Sequence, residues 1–252
     1  MCVIAFAWNA HPHWRLVLAG NRDEFHARPS ATLARWPDAP ILAGRDLQAG
    51  GTWLGVSGSG RCSVVTNVRN PRDPQEGLSR GLLVTDYLAG TVGAAAHAAS
   101  LRARAAGYRP FNLLLFDAAA GIHVGNRPGV RASLLAPGVH GLSNADLDTP
   151  WPKTQRLIEH LQRWLAMDAA DFAPLFDALA DERIALDAQL PDTGVGLERE
   201  RWLSATFIHG ASYGTRASTV VAIDHHGCGE IIERGFAADG MALGETRLRF
   251  GS

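Results

Sequence analysis

The amino-acid sequence predicts a single domain, residues 1–252, of the α+β class, with sheets and helices in separate layers. Three observations carry that expectation. Runs of apolar, β-branched residues come in groups and do not alternate one by one with helical segments, which argues against a βαβ sheet. Two Leu- and Ala-containing regions, each long enough for a pair of helices, separate the groups. The 252 residues, 46% hydrophobic and 19% charged, suffice for one sizeable core, and no repeat or low-complexity tract divides them.

Residues 3–8 and 14–19 read as two short apolar strands. Asn9-Ala10-His11-Pro12-His13 between them has turn composition, so a hairpin is expected. The polar run NRDEFHARPS follows, and Pro29, Pro37 and Pro40 are expected to keep 27–40 irregular. Residues 41–43, 52–56 and 62–66 are further strands, separated by Gly50-Gly51 and Gly58-Ser59-Gly60. Two helices are expected within 79–106. Strands resume at 111–116, 122–124 and 131–135 as an antiparallel meander, and GLSNADLDTP is a loop. Pro152 suits the first turn of a helix, after which Leu157, Ile158, Leu161, Trp164 and Leu165 recur on one helical face. A second helix is expected near 170–180, and 187–200 reads as irregular and exposed. Residues 219–223 and 229–234 form a last hairpin turning at His225-His226-Gly227, and 246–250 is one more strand.

A net charge of -1 gives no bias toward nucleic acid or an anionic membrane. Cys2, Cys62 and Cys228 are odd in number and far apart, so a reducing compartment is expected and no disulfide framework. The apolar start lacks a basic n-region, and no window approaches the roughly 20 apolar residues of a spanning helix, so a cytoplasmic protein is expected.

Cys2 is the first candidate for chemistry. Methionine is ordinarily trimmed ahead of a small side chain. Loss of Met1 would leave a thiol and a free α-amine on one residue, and an α-amine of pKa about 7.7–8.0 can accept the thiol proton. The plain alternative is a buried cysteine on an edge strand. Antiparallel pairing of the first hairpin would return Arg22, Asp23 and Glu24 toward Cys2. A cation beside a thiol favours thiolate, and a carboxylate beside an amine orients it. The plain alternative here is a solvated turn with a weak ion pair. Asn67 and Asn144 each follow a short strand, where an amide N–H can stabilise an oxyanion or simply serve a turn. His11, His13, His225 and His226 resemble ligand clusters but lie in turns without zinc spacing, so no metal is expected. The glycines of 50–60 fit no phosphate-binding motif, and no cofactor is expected.

NRDE at 21–24, TNVRNP at 66–71, GLSNADLDTPWPK at 141–153 and YGTRASTV at 213–220 together resemble the NRDE family, also called the transport-and-Golgi-organisation family. The resemblance implies the four-layer αββα sandwich of two antiparallel sheets found in N-terminal-nucleophile hydrolases. It also implies chemistry similar to the choloylglycine hydrolase and penicillin V acylase group, which cleaves linear amides. On that likeness Cys2 is the nucleophile, Asn67 and Asn144 are the two site amides, and Arg216 is a later site arginine. That group separates its Arg and Asp by three positions, whereas Arg22 and Asp23 are adjacent, so the carboxylate is either Asp23 or Glu24. Two functions are therefore expected. One is a cysteine amidohydrolase acting on a small acyl amide or thioester. The other is a carrier of an amphipathic ligand, with haem or an acyl lipid implied by the resemblance, although no Cys-Pro pair or histidine stripe marks a haem site. Cys62 and Cys228 are expected to be ordinary buried thiols.

Overall fold

In the computed structural model, residues 2–73, 76–167 and 171–251 are described. The chain begins with β1 (Cys2–Trp8) and β2 (Trp14–Phe25), paired as an antiparallel hairpin. β3 (Ser30–Arg35), β4 (Ile41–Asp46), β5 (Leu54–Ser57) and β6 (Cys62–Asn67) follow, then α1 (Gly81–Ala89) and α2 (Ala94–Leu101). β7 (Phe111–Phe116), β8 (Gly121–Gly125), β9 (Arg131–Leu134) and β10 (Gly138–Leu142) lead into α3 (Pro152–Ala166), α4 (Ala173–Leu179) and α5 (Leu197–Trp202). β11 (Tyr213–Asp224), β12 (Gly229–Phe236) and β13 (Ala242–Phe250) complete the order.

Two antiparallel sheets result. One has six strands in the order β10-β1-β2-β11-β12-β13, the other seven in the order β3 to β9. Their facing surfaces share a core that includes Ile4, Phe6, Trp8, Leu16, Leu18, Val64, Leu114 and Val221. α1 and α2 cover the outer face of the seven-stranded sheet through Leu83, Val84, Ala98 and Leu101. α3 and α4 cover the six-stranded sheet through Leu157, Leu161, Trp164 and Phe176. The architecture is the four-layer αββα sandwich. A strand buried from both sides reads as a continuous apolar run, which is why β1 shows no polar alternation.

Period-two alternation still decides which way each side chain faces. On β1, Ile4, Phe6 and Trp8 enter the space between the sheets, while Val3, Ala5 and Ala7 pack under α3 and α4. On β2, Leu16 and Leu18 face the first space and Val17 and Ala19 the second. Cys2 therefore opens toward the inter-sheet side, and so does Arg22, its register partner.

Several elements differ from the sequence expectation. β2 does not stop at residue 19 but runs through NRDE to Phe25, because β11 pairs along its whole length and the helix layer supplies partners for its polar side chains. The stretch 27–40 contains β3, an edge strand bounded by Pro29 and Pro37, where a missing N–H costs least. β10 occupies Gly138–Leu142 and so takes in the first two residues of the expected GLSN loop; it pairs with β1 at the sheet edge. A Cβ on Gly141 would lie 2.3 Å from Thr154 Cγ2, so the glycine is what lets α3 sit against this strand. Within 187–200 the chain forms the start of α5, whose six residues carry four charges and no apolar stripe. The helix expected near 170–180 is found as Ala173–Leu179, and residue 170 lies outside the described residues, as does Met1. Cys62 is buried as expected, whereas Cys228 is exposed in the β11–β12 turn. Among the described residues no helix is long and apolar enough to cross a membrane.

Candidate active site

The β1–β2 register places Cys2 opposite Arg22, at the end of the six-stranded sheet where the inter-sheet space opens into a cavity of about 190 Å³. Cys2, Arg22, Asp23, Glu24, Asn67 and Arg216 all border it. Asn144 stands directly behind Asn67. The seven residues expected from the sequence thus gather at one end of the sandwich, although they come from four strands and one loop.

Cys2 is 7% exposed. Burial pushes its thiol above the ordinary range, and the Asp23 carboxylate acts in the same direction. Arg22 and the Asp23 backbone amide, hydrogen-bonded to the sulfur, pull the other way without overcoming burial. The resting group is therefore a thiol that needs a base, not a thiolate made in advance by arginine.

The four motif residues divide between the two faces of β2. Asn21 points under the helices and is a strut: its Nδ2 donates to the Leu179 and Thr206 carbonyls at 2.8 and 2.9 Å, and its Oδ1 accepts from Ser218 at 2.7 Å. Asp23 shares that face and is 2% exposed. Its Oδ1 accepts the Thr215 hydroxyl at 2.8 Å, and its carbonyl accepts the Tyr213 hydroxyl at 3.1 Å. Burial pushes the Asp23 carboxyl above the usual carboxylate range, against the pull of Lys153, Thr215 and Arg69. Arg22 and Glu24 face the cavity and pair at 3.6 Å; Glu24 also lies 3.8 Å from Arg28, which binds Asp46 at 2.7 Å.

Asn67 ends β6 of the opposite sheet. Asn144 Nδ2 donates to the Asn67 Oδ1 at 2.8 Å and to its carbonyl at 3.0 Å, so the two sheets are tied together beside Cys2. The bond fixes the Asn67 amide with its oxygen toward Asn144 and its NH₂ turned away. Asn144 in turn accepts the Arg69 N–H at 2.7 Å, and Ser143 donates to the Cys2 carbonyl at 2.8 Å. Arg216 sits in a bulge of β11, where the pairing with β2 shifts between Thr215 and Ala217. Its Nη1 donates to the carbonyls of Phe25, His26 and Arg28 at 3.0, 3.3 and 3.1 Å, closing the turn after NRDE.

Several residues of this region carry no role in the sequence reading. Arg80 and Arg109 add cations to the cavity wall. Arg80 precedes α1 and is set there because Gly51 and Gly81 touch so closely that a Cβ on Gly51 would lie 2.5 Å from the Gly81 carbonyl carbon. Glu233 lies in the wall, accepts the Leu33 N–H at 2.7 Å, and is raised in pKa by burial. Behind Asp23, Arg69 and Glu200 form a buried ion pair at 2.7 Å, with Arg69 over the Trp151 ring at 4.6 Å. Lys153, 1% exposed, also lies behind Asp23, and burial lowers its pKa to about 8. Its signal in the sequence was a lysine in the first turn of a helix, the end where the dipole disfavours cations.

The histidine turns do meet, at the opposite end of the sheet, where His225 Nε2 bonds the His11 carbonyl at 3.1 Å. Among the described residues no group of three His, Cys, Asp or Glu side chains could hold a metal ion.

The family model described as Transport and Golgi organisation 2 matches residues 1–238. The Transport and Golgi organization 2 homolog of Mus musculus is 31% identical over 271 residues, covering 98% of this chain and 97% of that protein. The Homo sapiens homolog is 32% identical over 272 residues with the same coverage. Among solved structures, a C2A mutant of conjugated bile acid hydrolase from Clostridium perfringens superposes with a TM-score of 0.56 at 8% identity, covering 98% of this chain and 92% of that one. The Caenorhabditis elegans N-acylethanolamine-hydrolyzing acid amidase ortholog gives 0.52 at 10% identity, covering 87% and 92%. At such identities the likeness establishes the shared αββα fold of N-terminal-nucleophile hydrolases. By the match of its whole length to these relatives, the chain belongs to the Transport and Golgi organisation 2 family.

Proposed function

We propose that this protein is a cysteine N-terminal-nucleophile amidohydrolase acting on a small acyl amide or thioester. The observation that supports this most is the buried Cys2 thiol facing the cavity, with Asp23 behind the chain start and Asn67 across from it. After removal of Met1, the Cys2 α-amine takes the thiol proton as Sγ attacks the substrate carbonyl. Asp23 orients the amine and stabilises the ammonium that forms; Glu24 is occupied by Arg22 and Arg28. The Asn67 NH₂ receives the tetrahedral oxyanion, and Asn144 holds that amide in place. The ammonium returns the proton to the leaving amine or thiolate, leaving a thioester on Cys2. Water, deprotonated by the same amine, then releases the acid and restores the thiol.

The wall carries Arg22, Arg28, Arg45, Arg80, Arg109 and Arg216 against Glu24, Asp46 and Glu233, with the Asp23 carboxylate turned to the helix side. That surplus of cations suits an acyl compound bearing an acidic group. Incubation with a β-lactone probe should acylate the mature protein and leave Cys2→Ala unlabelled. Equal labelling of both removes the nucleophile.

A carrier on the same scaffold is the second reading, favoured by the raised thiol pKa. Its ligand would be an amphipathic acyl compound. Haem fits less well: among the described residues lining the cavity, Cys2 is the only side chain of a type that commonly ligates haem iron. Saturable binding of an acyl ligand with no turnover, together with Met1 retained, would favour this reading over the enzyme.

A further inference from the structure

The loop GLSNADLD, residues 141–148, closes on itself through Asp148. The Asp148 N–H donates to the Gly141 carbonyl at 2.8 Å, and its Oδ1 accepts the Gly141 N–H at 2.9 Å. β10 is an edge strand, and these bonds serve backbone groups that no further strand reaches. Asp148 holds a φ of 59°, a left-handed conformation that aspartate tolerates better than most residues. Inside the closed loop stand Ser143, which donates to the Cys2 carbonyl, and Asn144, which holds Asn67.

The other Asp148 oxygen, Oδ2, lies 2.8 Å from His140 Nδ1, and His140 Nε2 lies 2.9 Å from the Ala136 carbonyl. Stacking on Phe6, its register partner, at 5.3 Å between ring centres fixes the ring plane that makes both contacts. A carbonyl only accepts, so Nε2 carries a hydrogen. A carboxylate oxygen also accepts, so the contact at Nδ1 needs a second hydrogen. A neutral imidazole has one N–H and cannot serve both, so the pair shares an extra proton, as imidazolium beside carboxylate. The Asp148 bond raises the His140 pKa from its ordinary value of 6.5, against burial. Burial works against the Asp148 charge, but the His140 and Gly141 bonds hold its carboxyl below the usual range.

The other charged and titratable groups around the pair are Asp146 of the loop and Arg131 of β9, bonded to each other, and His123 of β8. Burial lowers His123 to about 4, so it stays neutral while His140 titrates. β1 meets His140 with the Phe6 ring, and α3 packs on the opposite face, against Gly141.

We propose that His140 and Asp148 are positioning residues that hold Asn144 against Asn67, and that they do so fully only while they share the extra proton. Their effect on catalysis rests on the reading of Asn67 as the oxyanion donor; the hold itself does not. When the proton leaves, two lone pairs face each other between Nδ1 and the carboxylate, or the ring turns its one N–H to Asp148 and gives up Ala136. Either way one of its two anchors is lost and the loop closure slackens. Because the folded ring binds its proton more tightly than a free histidine, the hold is complete below the free value and is lost as pH rises through the raised one.

The hold can be read without any substrate. In ¹⁵N-labelled protein the His140 ring should titrate with a midpoint above the free value of about 6.5. The Asn144 NH₂ signal should shift with that same midpoint. In Asp148→Asn the side-chain oxygen still takes the Gly141 N–H, and the NH₂ donates to a neutral ring, so the loop stays closed without the extra proton. There the His140 midpoint should fall by about one pH unit or more. The Asn144 signal should then keep one position through the pH range in which it moves in the parent. A parent His140 midpoint at or below about 6.5 overturns the proposal, even if the variant does not fold. So does an Asn144 signal that ignores the parent midpoint, or one that keeps its parent pH dependence in Asp148→Asn. β-Lactone labelling of the parent, Cys2→Ala and Asn67→Ala, measured separately, tells this failure from failure of the nucleophile or of the oxyanion donor.

Discussion

Asp23 is the residue on which the proposed chemistry turns, and its place on β2 shows how the motif is divided between two faces. In a strand, neighbours face opposite ways, so NRDE delivers two side chains to the cavity and two to the helix layer. The sequence suggested that Arg22, Asp23 and Glu24 return to Cys2, and each does. It left the carboxylate open between Asp23 and Glu24, because face assignment needs the strand to be known to continue past residue 19. Asp23→Asn keeps an acceptor for Thr215 but no charge for the amine. Its rate of Cys2 acylation should fall by roughly 10²–10⁴ at unchanged fold. Asn67→Ala should cost about 10²–10³ in the same assay by removing the oxyanion donor, and Asn144→Ala should cost less, since it only holds that donor. A larger loss at Asn144 than at Asn67 would reverse the two roles.

At the level of elements, the site depends on α3 and β10 meeting closely. The apolar spacing of Leu157, Leu161 and Trp164 was legible, and the helix lies where it predicts. β10 was not, because an edge strand of five residues with two glycines offers neither alternation nor β-branched runs. β3 was hidden likewise, by prolines that edge strands tolerate. Lys153 was missed for a different reason. A lysine in sequence is assumed to be solvated, and only three-dimensional packing shows it buried. Gly141→Ala tests the contact: the added methyl must displace Thr154 and Ile158, so stability should fall by about 1–3 kcal/mol in urea unfolding. Unchanged stability would mean that α3 sits more loosely than the structure shows.

Over the whole molecule, the buried charges make stability depend on pH in a way a plain sandwich would not. Lys153 has a folded pKa of about 8 against 10.5 when free. Between those values the unfolded chain holds a proton that the folded chain has released, so this term raises stability as pH climbs. It amounts to roughly 3 kcal/mol over that window. Buried Cys2, Cys62 and Tyr213, whose pKa values are raised, act in the opposite direction at alkaline pH. The difference between wild type and Lys153→Met isolates the lysine: the variant should be the more stable at neutral pH, and its advantage should shrink toward pH 10.5. A variant no more stable at neutral pH would show that the fold carries this charge without strain.

The proposed hydrolysis requires Cys2 to react as a freed chain terminus. The direct measurement is the mass of the N-terminal peptide from protein quenched in acid during turnover of an acyl amide bearing a carboxylate. The expected peptide begins at Cys2, has lost Met1, and carries the acyl group as a thioester cleaved by hydroxylamine. A peptide that retains Met1 and bears no acyl group, while the amide is still consumed, would contradict it.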